Sequence, residues 1–150
     1  MDKKDGWINI DIRKCVSPDM LLDIGKDKFP FDDNSVDRVK AVHVMEHISN
    51  LNHTMKEIYR VCADKAEVEI ISPYWTHHTA FDDPSHIRFI TERTFCFYDP
   101  RSLGSDGSSM EEANGFYTNF SITHIDYSFD KCTFEKENIR IILKATKAKV

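Results

Sequence analysis

The alternation of apolar and polar positions divides the N-terminal half of the chain into short strands separated by polar turns. Trp7 to Asp11 alternates and then ends in a polar break, which predicts a strand. Met20 to Asp23 predicts a second short strand or an extended segment. Val36 to Val44 is rich in β-branched and apolar residues, and predicts a buried strand. Another strand is predicted from Ala66 to Ser72, closed by Pro73.

A helix is predicted between the last two of these strands. Ser49 or Asn50 is a suitable residue for its N-cap. After it, apolar residues recur at offsets 0, 4, 7, 8 and 11, which is one face of a helix with a period of 3.6. These residues are Leu51, Met55, Ile58, Tyr59 and Cys62. We therefore expect this face to pack on a sheet in which Trp7 to Asp11 and Val36 to Val44 are parallel strands.

The C-terminal half begins with weaker signals and ends with a strand pair. Thr91 to Tyr98 predicts a short helix with Phe95 and Tyr98 facing inward. Residues 101–115 mix glycines with serines and acids, which is typical of a long loop. Phe120 to Phe129 and Asn138 to Thr146 predict two strands, and the short connection between them favours an antiparallel pair.

This order of elements predicts an α/β protein with one domain over residues 1–150. In such folds the ligand lies outside the carboxyl ends of the strands. Those ends are predicted at Asp11, Asp23, residues 43–47 and residues 72–74. They are also the most polar and unusual places in the sequence, so they are the candidate site.

Composition narrows the function classes only slightly. The net charge is −5 with acids and bases interspersed, which argues against a nucleic-acid-binding surface. No apolar run approaches 18 residues, and the N-terminus lacks the apolar core of a signal peptide. The four cysteines show no C-x-x-C spacing, so we expect reduced thiols in a cytoplasm rather than a zinc knuckle or redox motif.

Several segments together resemble a known family. In order they are Ile8-Asn9-Ile10-Asp11, Leu22-Asp23, residues 29–37 (Phe-Pro-Phe-Asp-Asp-Asn-Ser-Val-Asp), His43-Val44-Met45-Glu46-His47, Glu57-Ile58-Tyr59-Arg60-Val61, Ile70-Ile71-Ser72-Pro73 and residues 83–91 (Asp-Pro-Ser-His-Ile-Arg-Phe-Ile-Thr). With this order and spacing, residues 7–98 resemble a class I S-adenosylmethionine-dependent methyltransferase of the type 11 group. The resemblance implies a Rossmann-like, mostly parallel sheet, completed here by the antiparallel C-terminal strand pair.

The resemblance also implies roles for individual residues. Asp11 would accept hydrogen bonds from the ribose hydroxyls of S-adenosylmethionine, and Asp23 with Ile24 would flank the adenine. His43 would line the floor beneath the methionine part. Pro73 and Tyr74 would border the pocket of the methyl acceptor, and His86 lies in a loop assigned here to acceptor recognition or general-base work.

Two departures from the family pattern affect the expected activity. The first strand and its glycine-rich loop, which hold the methionine end of the cofactor, have no counterpart before Asp11, where Gly6 stands alone. Residues 63–66 (Ala-Asp-Lys-Ala) stand where the family usually turns on glycines. We therefore expect a fragment, a degenerate copy or a rearranged chain, weak or absent binding of S-adenosylmethionine, and self-association through unpaired strand edges.

Two other function classes remain open. One is a non-catalytic domain, derived from a methyltransferase, that binds a partner. The other is a zinc hydrolase, because His43, Glu46 and His47 match the H-x-x-E-H pattern. That pattern requires a helix, whereas His43 is predicted to end a strand, so we expect no zinc there. The cluster His77, His78, Asp82, Asp83 and His86 could ligate a metal, contact an acceptor or be a solvated surface.

Overall fold

The computed structural model describes residues 6–102 and 118–147. In chain order the strands are β1 (Ile10–Asp11), β2 (Met20–Leu21), β3 (Val36–Val42), β4 (Cys62–Pro73), β5 (Phe120–Phe129) and β6 (Lys136–Ala145). Two α-helices, α1 (Leu51–Val61) and the short α2 (Thr79–Asp82), and three 3-10 turns (Lys14–Val16, Met45–His47 and Cys96–Tyr98) complete the described elements. None of the helices in these two ranges is long and apolar enough to cross a membrane.

The larger sheet has four strands in the order β3-β4-β6-β5. β3 and β4 are parallel, as expected for two strands joined through a helix, and Ala41 pairs with Ile70. β6 is antiparallel to both β4 and β5, so Ile141 faces Ile70 on one side and Ile125 on the other. The predicted antiparallel C-terminal pair is therefore confirmed, and the sheet as a whole is mixed.

The two faces of this sheet differ. Alternate residues of β4 and β6 are buried on one face, including Val68, Ile70, Ile139, Ile141 and Leu143. The opposite face carries charged pairs: Glu69 contacts Lys40 at 2.8 Å and Arg140 at 2.6 Å, and Arg140 also contacts Asp126 at 3.1 Å. This period of two is typical of a sheet with one buried face and one face toward water.

Helix α1 covers the buried face. The Asn50 side chain accepts a hydrogen bond from the backbone N–H of His53 at 3.0 Å, which satisfies one of the free donors at the helix start. Leu51, Met55 and Ile58 are buried in the same core cluster as the sheet residues. The predicted helix and its apolar face are confirmed, except that Cys62 is buried as the first residue of β4 rather than within the helix.

The second sheet is small and corrects one expectation. β1 and β2 form a separate, parallel, two-stranded sheet in which Ile10 pairs with Met20 and Asp11 with Leu21. The prediction that Trp7 to Asp11 and Val36 to Val44 are parallel strands of one sheet is therefore wrong, because β1 and β3 belong to different sheets. Both of these strands were also predicted too long, because β1 contains two residues and β3 stops at Val42.

The segment after β4 differs in detail from its prediction. Residues 91–98 form turns and one 3-10 turn instead of a continuous helix, yet Phe95 and Tyr98 are buried as expected. The predicted loop at residues 101–115 lies largely outside the described residues. The burial pattern that we inferred was thus more dependable than the type of element.

Candidate functional site

The candidate residues follow the carboxyl ends of the parallel strands. Asp11 is the last residue of β1, and Asp23 follows β2 by two residues. His43 comes directly after β3, and Pro73 ends β4. Their placement agrees with the rule that ligands of open α/β sheets bind at this end of the strands.

Asp11 is held by its neighbour Arg13. Its Oδ1 accepts hydrogen bonds from the Arg13 backbone N–H at 2.7 Å and from Nε at 3.1 Å, and Oδ2 accepts from Nη2 at 3.0 Å. These bonds hold the pKa of Asp11 below its usual range, so the carboxylate is ionised near neutral pH. An ionised carboxylate is what a ribose diol requires as a hydrogen-bond acceptor, but here Arg13 already occupies both oxygens.

Asp23 and Ile24 are anchored to the start of α1. The hydroxyl of Thr54 donates to the Ile24 carbonyl at 2.8 Å, and the ring nitrogen Nε2 of His53 lies 2.9 Å from the Asp27 carbonyl. Asp23 accepts from the Gly25 backbone N–H at 3.0 Å and pairs with Lys26, which lowers the pKa of Asp23. The segment that would flank an adenine is therefore fixed by side chains of the helix.

His43 begins the polar segment after β3, and its backbone is unusual. Its φ is 52°, a left-handed conformation that is uncommon for a residue with a side chain and is found often at functional sites. The His43 N–H donates to the Ile71 carbonyl at 2.8 Å, which extends the β3–β4 pairing by one bond. His43 ends a strand, as predicted, and is not part of a zinc-binding helix.

Glu46 is the most unusual charged residue of this segment because it is only 2% exposed. Its Oε2 accepts a hydrogen bond from the Ser72 hydroxyl at 2.9 Å, which ties it to the end of β4. Its Oε1 has no hydrogen-bond partner among the described residues, and His43 Nδ1 lies 3.8 Å from it. Such a buried, half-satisfied carboxylate is costly and calls for an explanation.

The structure brings the loop of His86 to the same place. The Ile87 N–H donates to the Glu46 carbonyl at 3.0 Å, and the rings of His47 and His86 meet edge to face with centroids 4.7 Å apart. Three other members of the sequence cluster lie elsewhere: His78 pairs with Asp82, and His77 is buried beside Thr79. The cluster is therefore divided, with His86 joined to residues after β3.

Tyr74 lies at the end of β4 but its hydroxyl is engaged. The hydroxyls of Tyr74 and Tyr127 both donate to Glu92 Oε1 at 2.6 Å. Burial opposes ionisation of Glu92, but the hydrogen bonds from the two tyrosines outweigh burial and lower the pKa of Glu92. The hydrogen bond to Glu92 raises the pKa of Tyr127 to about 12. The neighbouring Trp75 is 44% exposed and offers its indole ring to the surface.

Sequence reasoning missed these connections for identifiable reasons. Glu92 carried no motif, and its role depends on two tyrosines that are distant in sequence. Ser72 was noted only as part of a strand end, although it fixes Glu46. A signal was present for Glu46 alone, because a carboxylate next to Met45 and Ile48 in an apolar stretch is unusual.

Two cavities in the described residues are lined by other parts of the chain. One, of about 360 Å³, is lined mainly by the start of α1 and by residues 88–98. The other, of about 440 Å³, is lined by residues such as Asn34, Tyr59 and Lys147 near the opposite end of the sheet. Neither is lined by a predicted site residue, so the strand ends remain the candidate site.

Comparison with known proteins places this geometry in context. A family model described as a methyltransferase domain matches residues 13–68. None of the curated proteins matches the chain. Among solved structures, a SAM dependent methyltransferase from Archaeoglobus fulgidus is similar with a TM-score of 0.59 at 15% identity, covering 90% of this chain and 74% of that one.

Two further solved structures show the same fold. A protein from Sulfolobus solfataricus described as a type 11 methyltransferase has a TM-score of 0.55 at 19% identity, covering 94% of this chain and 71% of that one. A protein described as a methyltransferase and solved with the Haloferax volcanii Trm112 methyltransferase activator has a TM-score of 0.56 at 13% identity, covering 86% of this chain. This chain spans 63% of that protein.

These findings confirm the resemblance drawn from the sequence. Residues 13–68 match the methyltransferase family, and the described chain has the α/β fold of class I S-adenosylmethionine-dependent methyltransferases. The roles of individual residues are not tested by the comparisons and stay predictions.

Proposed function

We propose that this chain is a methyltransferase domain that uses S-adenosylmethionine to methylate a nucleophilic acceptor, and that it binds the cofactor weakly by itself. The observation that carries the proposal is the position of Asp11, Asp23 and His43 at the carboxyl ends of parallel strands within a methyltransferase fold. Asp11 would hold the ribose, and Asp23 with Ile24 the adenine.

Methyl transfer places modest demands on such a site. The sulfonium of the cofactor is already activated, and the acceptor attacks the methyl carbon as the carbon–sulfur bond breaks. The rate then depends mainly on holding donor and acceptor in line at short distance. We propose that three residues border the acceptor: Pro73 and Tyr74 at the end of β4, and His86 near the end of β3.

Two features of the proposed cofactor site lead us to expect weak binding of S-adenosylmethionine. Arg13 already occupies both oxygens of Asp11, so a ribose must displace it. No glycine-rich turn is available among the described residues to hold the methionine end. We therefore expect a dissociation constant for S-adenosylmethionine well above the low micromolar range.

The test is titration calorimetry of S-adenosylmethionine into the whole chain and two single variants. Arg13→Ala should tighten binding, because it frees the Asp11 carboxylate. Asp11→Asn should weaken binding about tenfold or more, the effect of losing hydrogen bonds to a charged group. Asp37→Asn, at an exposed carboxylate of β3, is the matched control and should leave binding unchanged.

The results distinguish this proposal from the alternative of a non-catalytic partner-binding domain. Absence of binding at millimolar cofactor in both the parent chain and Arg13→Ala would favour that alternative. A low micromolar dissociation constant in the parent chain would show that the methionine end is held by groups that we have not identified.

A further inference from the structure

We propose that Glu46, His47 and His86 form a binding site for a divalent transition-metal ion, with Zn²⁺ as the ion that the donor set fits best. One potential ligand atom from each of the three side chains lies within 4.8 Å of those of the other two. One carboxylate and two imidazoles are a donor set that zinc takes in proteins, with a fourth position open. The fold and the proposed methyl transfer do not call for this site.

The buried carboxylate is the independent observation that points to a cation. Glu46 is 2% exposed, and within the described part of the chain its Oε1 has no hydrogen-bond partner while Oε2 is fixed by Ser72. His43, 3.8 Å from Oε1, is half exposed and lies beyond hydrogen-bond distance. A buried carboxylate with one free oxygen is unfavourable unless a positive charge lies beside it, and a metal ion would supply that charge.

The hydrogen bonds of the two imidazoles leave Nε2 of each ring available to bind a metal ion. His86 Nδ1 lies 3.1 Å from the Ala80 carbonyl, which can only accept, so Nδ1 carries the proton and Nε2 the lone pair. Zinc-binding histidines commonly make this second hydrogen bond to a carbonyl or carboxylate, which fixes the tautomer of the ring.

The same reasoning holds for His47. Its Nδ1 lies 3.2 Å from the Ser85 carbonyl and 3.1 Å from the Ser85 hydroxyl. That hydroxyl donates its own proton to Asp83 Oδ1 at 2.6 Å, so both oxygens of Ser85 act as acceptors toward His47. Nε2 of His47 is therefore the nitrogen left with a lone pair.

The surrounding contacts pre-position the three ligands. The Ile87 N–H bonds to the Glu46 carbonyl, so the two segments are already joined by backbone. Ligands of a tetrahedral zinc ion are separated by roughly 3.3 Å, given metal–ligand bonds near 2 Å. The three ligand atoms, which lie within 4.8 Å of one another, would close further on a bound ion. Asp83 Oδ2, 3.9 Å from His86 Nε2, adds a second negative charge nearby.

This site differs from the His43 and His47 pair suggested by the H-x-x-E-H pattern. It replaces His43 with His86, which comes from a loop 39 positions after His47. It also includes Glu46 and His47, where the sequence led us to expect no zinc. A bound ion would clamp residues 83–87 against the end of β3, beside the proposed acceptor pocket.

The experiment is calorimetric titration of Zn²⁺ into the whole chain after treatment with a chelator. We expect one ion per chain, and at least a tenfold weaker affinity in His47→Ala and in His86→Ala. His124→Ala is the matched control, because His124 is exposed, pairs with Asp126 at 3.0 Å and lies on β5. It should bind zinc like the parent chain.

A second measurement with Co²⁺ separates this site from surface binding. Cobalt held by these ligands should give visible absorption bands of a four-coordinate ion, and Glu46→Gln should remove or shift them. Circular dichroism checks that each variant is folded. If Glu46→Gln or His86→Ala does not fold, the test relies on His47→Ala, because His47 is exposed. The proposal fails if the parent chain does not bind zinc stoichiometrically, or if His47→Ala binds as tightly as His124→Ala.

Discussion

The four-stranded sheet and the two-stranded sheet of β1 and β2 carry different parts of the candidate site on very different supports. β6 pairs with β4 through seven residue pairs and with β5 through nine, around side chains such as Ile141 and Leu143 that are fully buried. β1 and β2 share two residue pairs, and Ile8, Ile12 and Leu21 around them are more than half exposed.

This difference shows where the domain is stable and where its proposed chemistry depends on local contacts. The end of the large sheet positions His43, Glu46 and Tyr74 through strand pairing and buried hydrogen bonds. The proposed ribose-binding role of Asp11 depends on two short strands and on the hydrogen bonds between Asp11 and Arg13. In the described residues the outer edge of β3 also has no strand beside it.

The largest expected effect is in the core of the large sheet. Ile141→Ala removes a side chain with no exposed surface, and should lower the free energy of unfolding by about 2–5 kcal/mol. Ile12→Ala, next to β1 and 62% exposed, is the control and should change it by less than about 0.5 kcal/mol. Urea denaturation at one fixed protein concentration measures both. Equal effects would mean that the small sheet belongs to the same cooperative core.

The sequence predicted the large sheet better than the small one for a physical reason. Long strands with one buried face repeat apolar residues every second position, and a helix face repeats them every 3.6, so β3, β4, β6 and α1 each carried several independent signals. A two-residue strand carries almost none. Its pairing with β2 depends on contacts such as the Asn9 side chain with Asp19, at 3.0 Å, which no periodicity reveals.

The candidate site shows the same limit. Asp11, Asp23 and His43 could be chosen as candidates from their predicted places at strand ends, because ligands of open α/β sheets bind outside the carboxyl ends of the strands. The partners of these residues could not be predicted, since Arg13 on Asp11, Ser72 on Glu46 and the approach of His86 to His47 are tertiary contacts. The H-x-x-E-H pattern contains two of the three metal ligands that we propose, Glu46 and His47, and has His43 where the proposed site has His86.

A smaller effect is expected at the charged face of the large sheet. Lys40 and Arg140 hold the pKa of Glu69 below its usual value, although burial opposes this. A depressed folded-state pKa stabilises the protein above the unfolded-state value, near 4.5, and this contribution is lost as the pH falls through the folded-state pKa. Glu69→Gln should therefore cost about 1 kcal/mol at pH 7, and markedly less near pH 3.

The control for this pH dependence is Glu67→Gln, whose carboxylate pairs with Arg38 at an exposed position. Exposed pairs contribute little, so its cost should be below about 0.5 kcal/mol at pH 7. Thermal unfolding of the parent and both variants between pH 3 and 7 gives the comparison. A cost for Glu69→Gln that does not change with pH would show that its packing matters more than its charge.

The smallest effect is expected at Leu21, in β2. Its side chain is 57% exposed, so Leu21→Ala should change the free energy of unfolding by less than about 0.5 kcal/mol in dilute solution. The effect of Leu21→Ala on the free energy of unfolding should differ at high protein concentration if exposed apolar side chains and the edge of β3 mediate self-association. Unpaired strands mediate association in other proteins. Sedimentation of the parent chain and Leu21→Ala over a range of concentrations would then show weaker association in the variant. A monomeric parent chain at every concentration would contradict the self-association that we expect, and would mean that the small sheet, although sparsely packed, is sufficient for a stable single molecule.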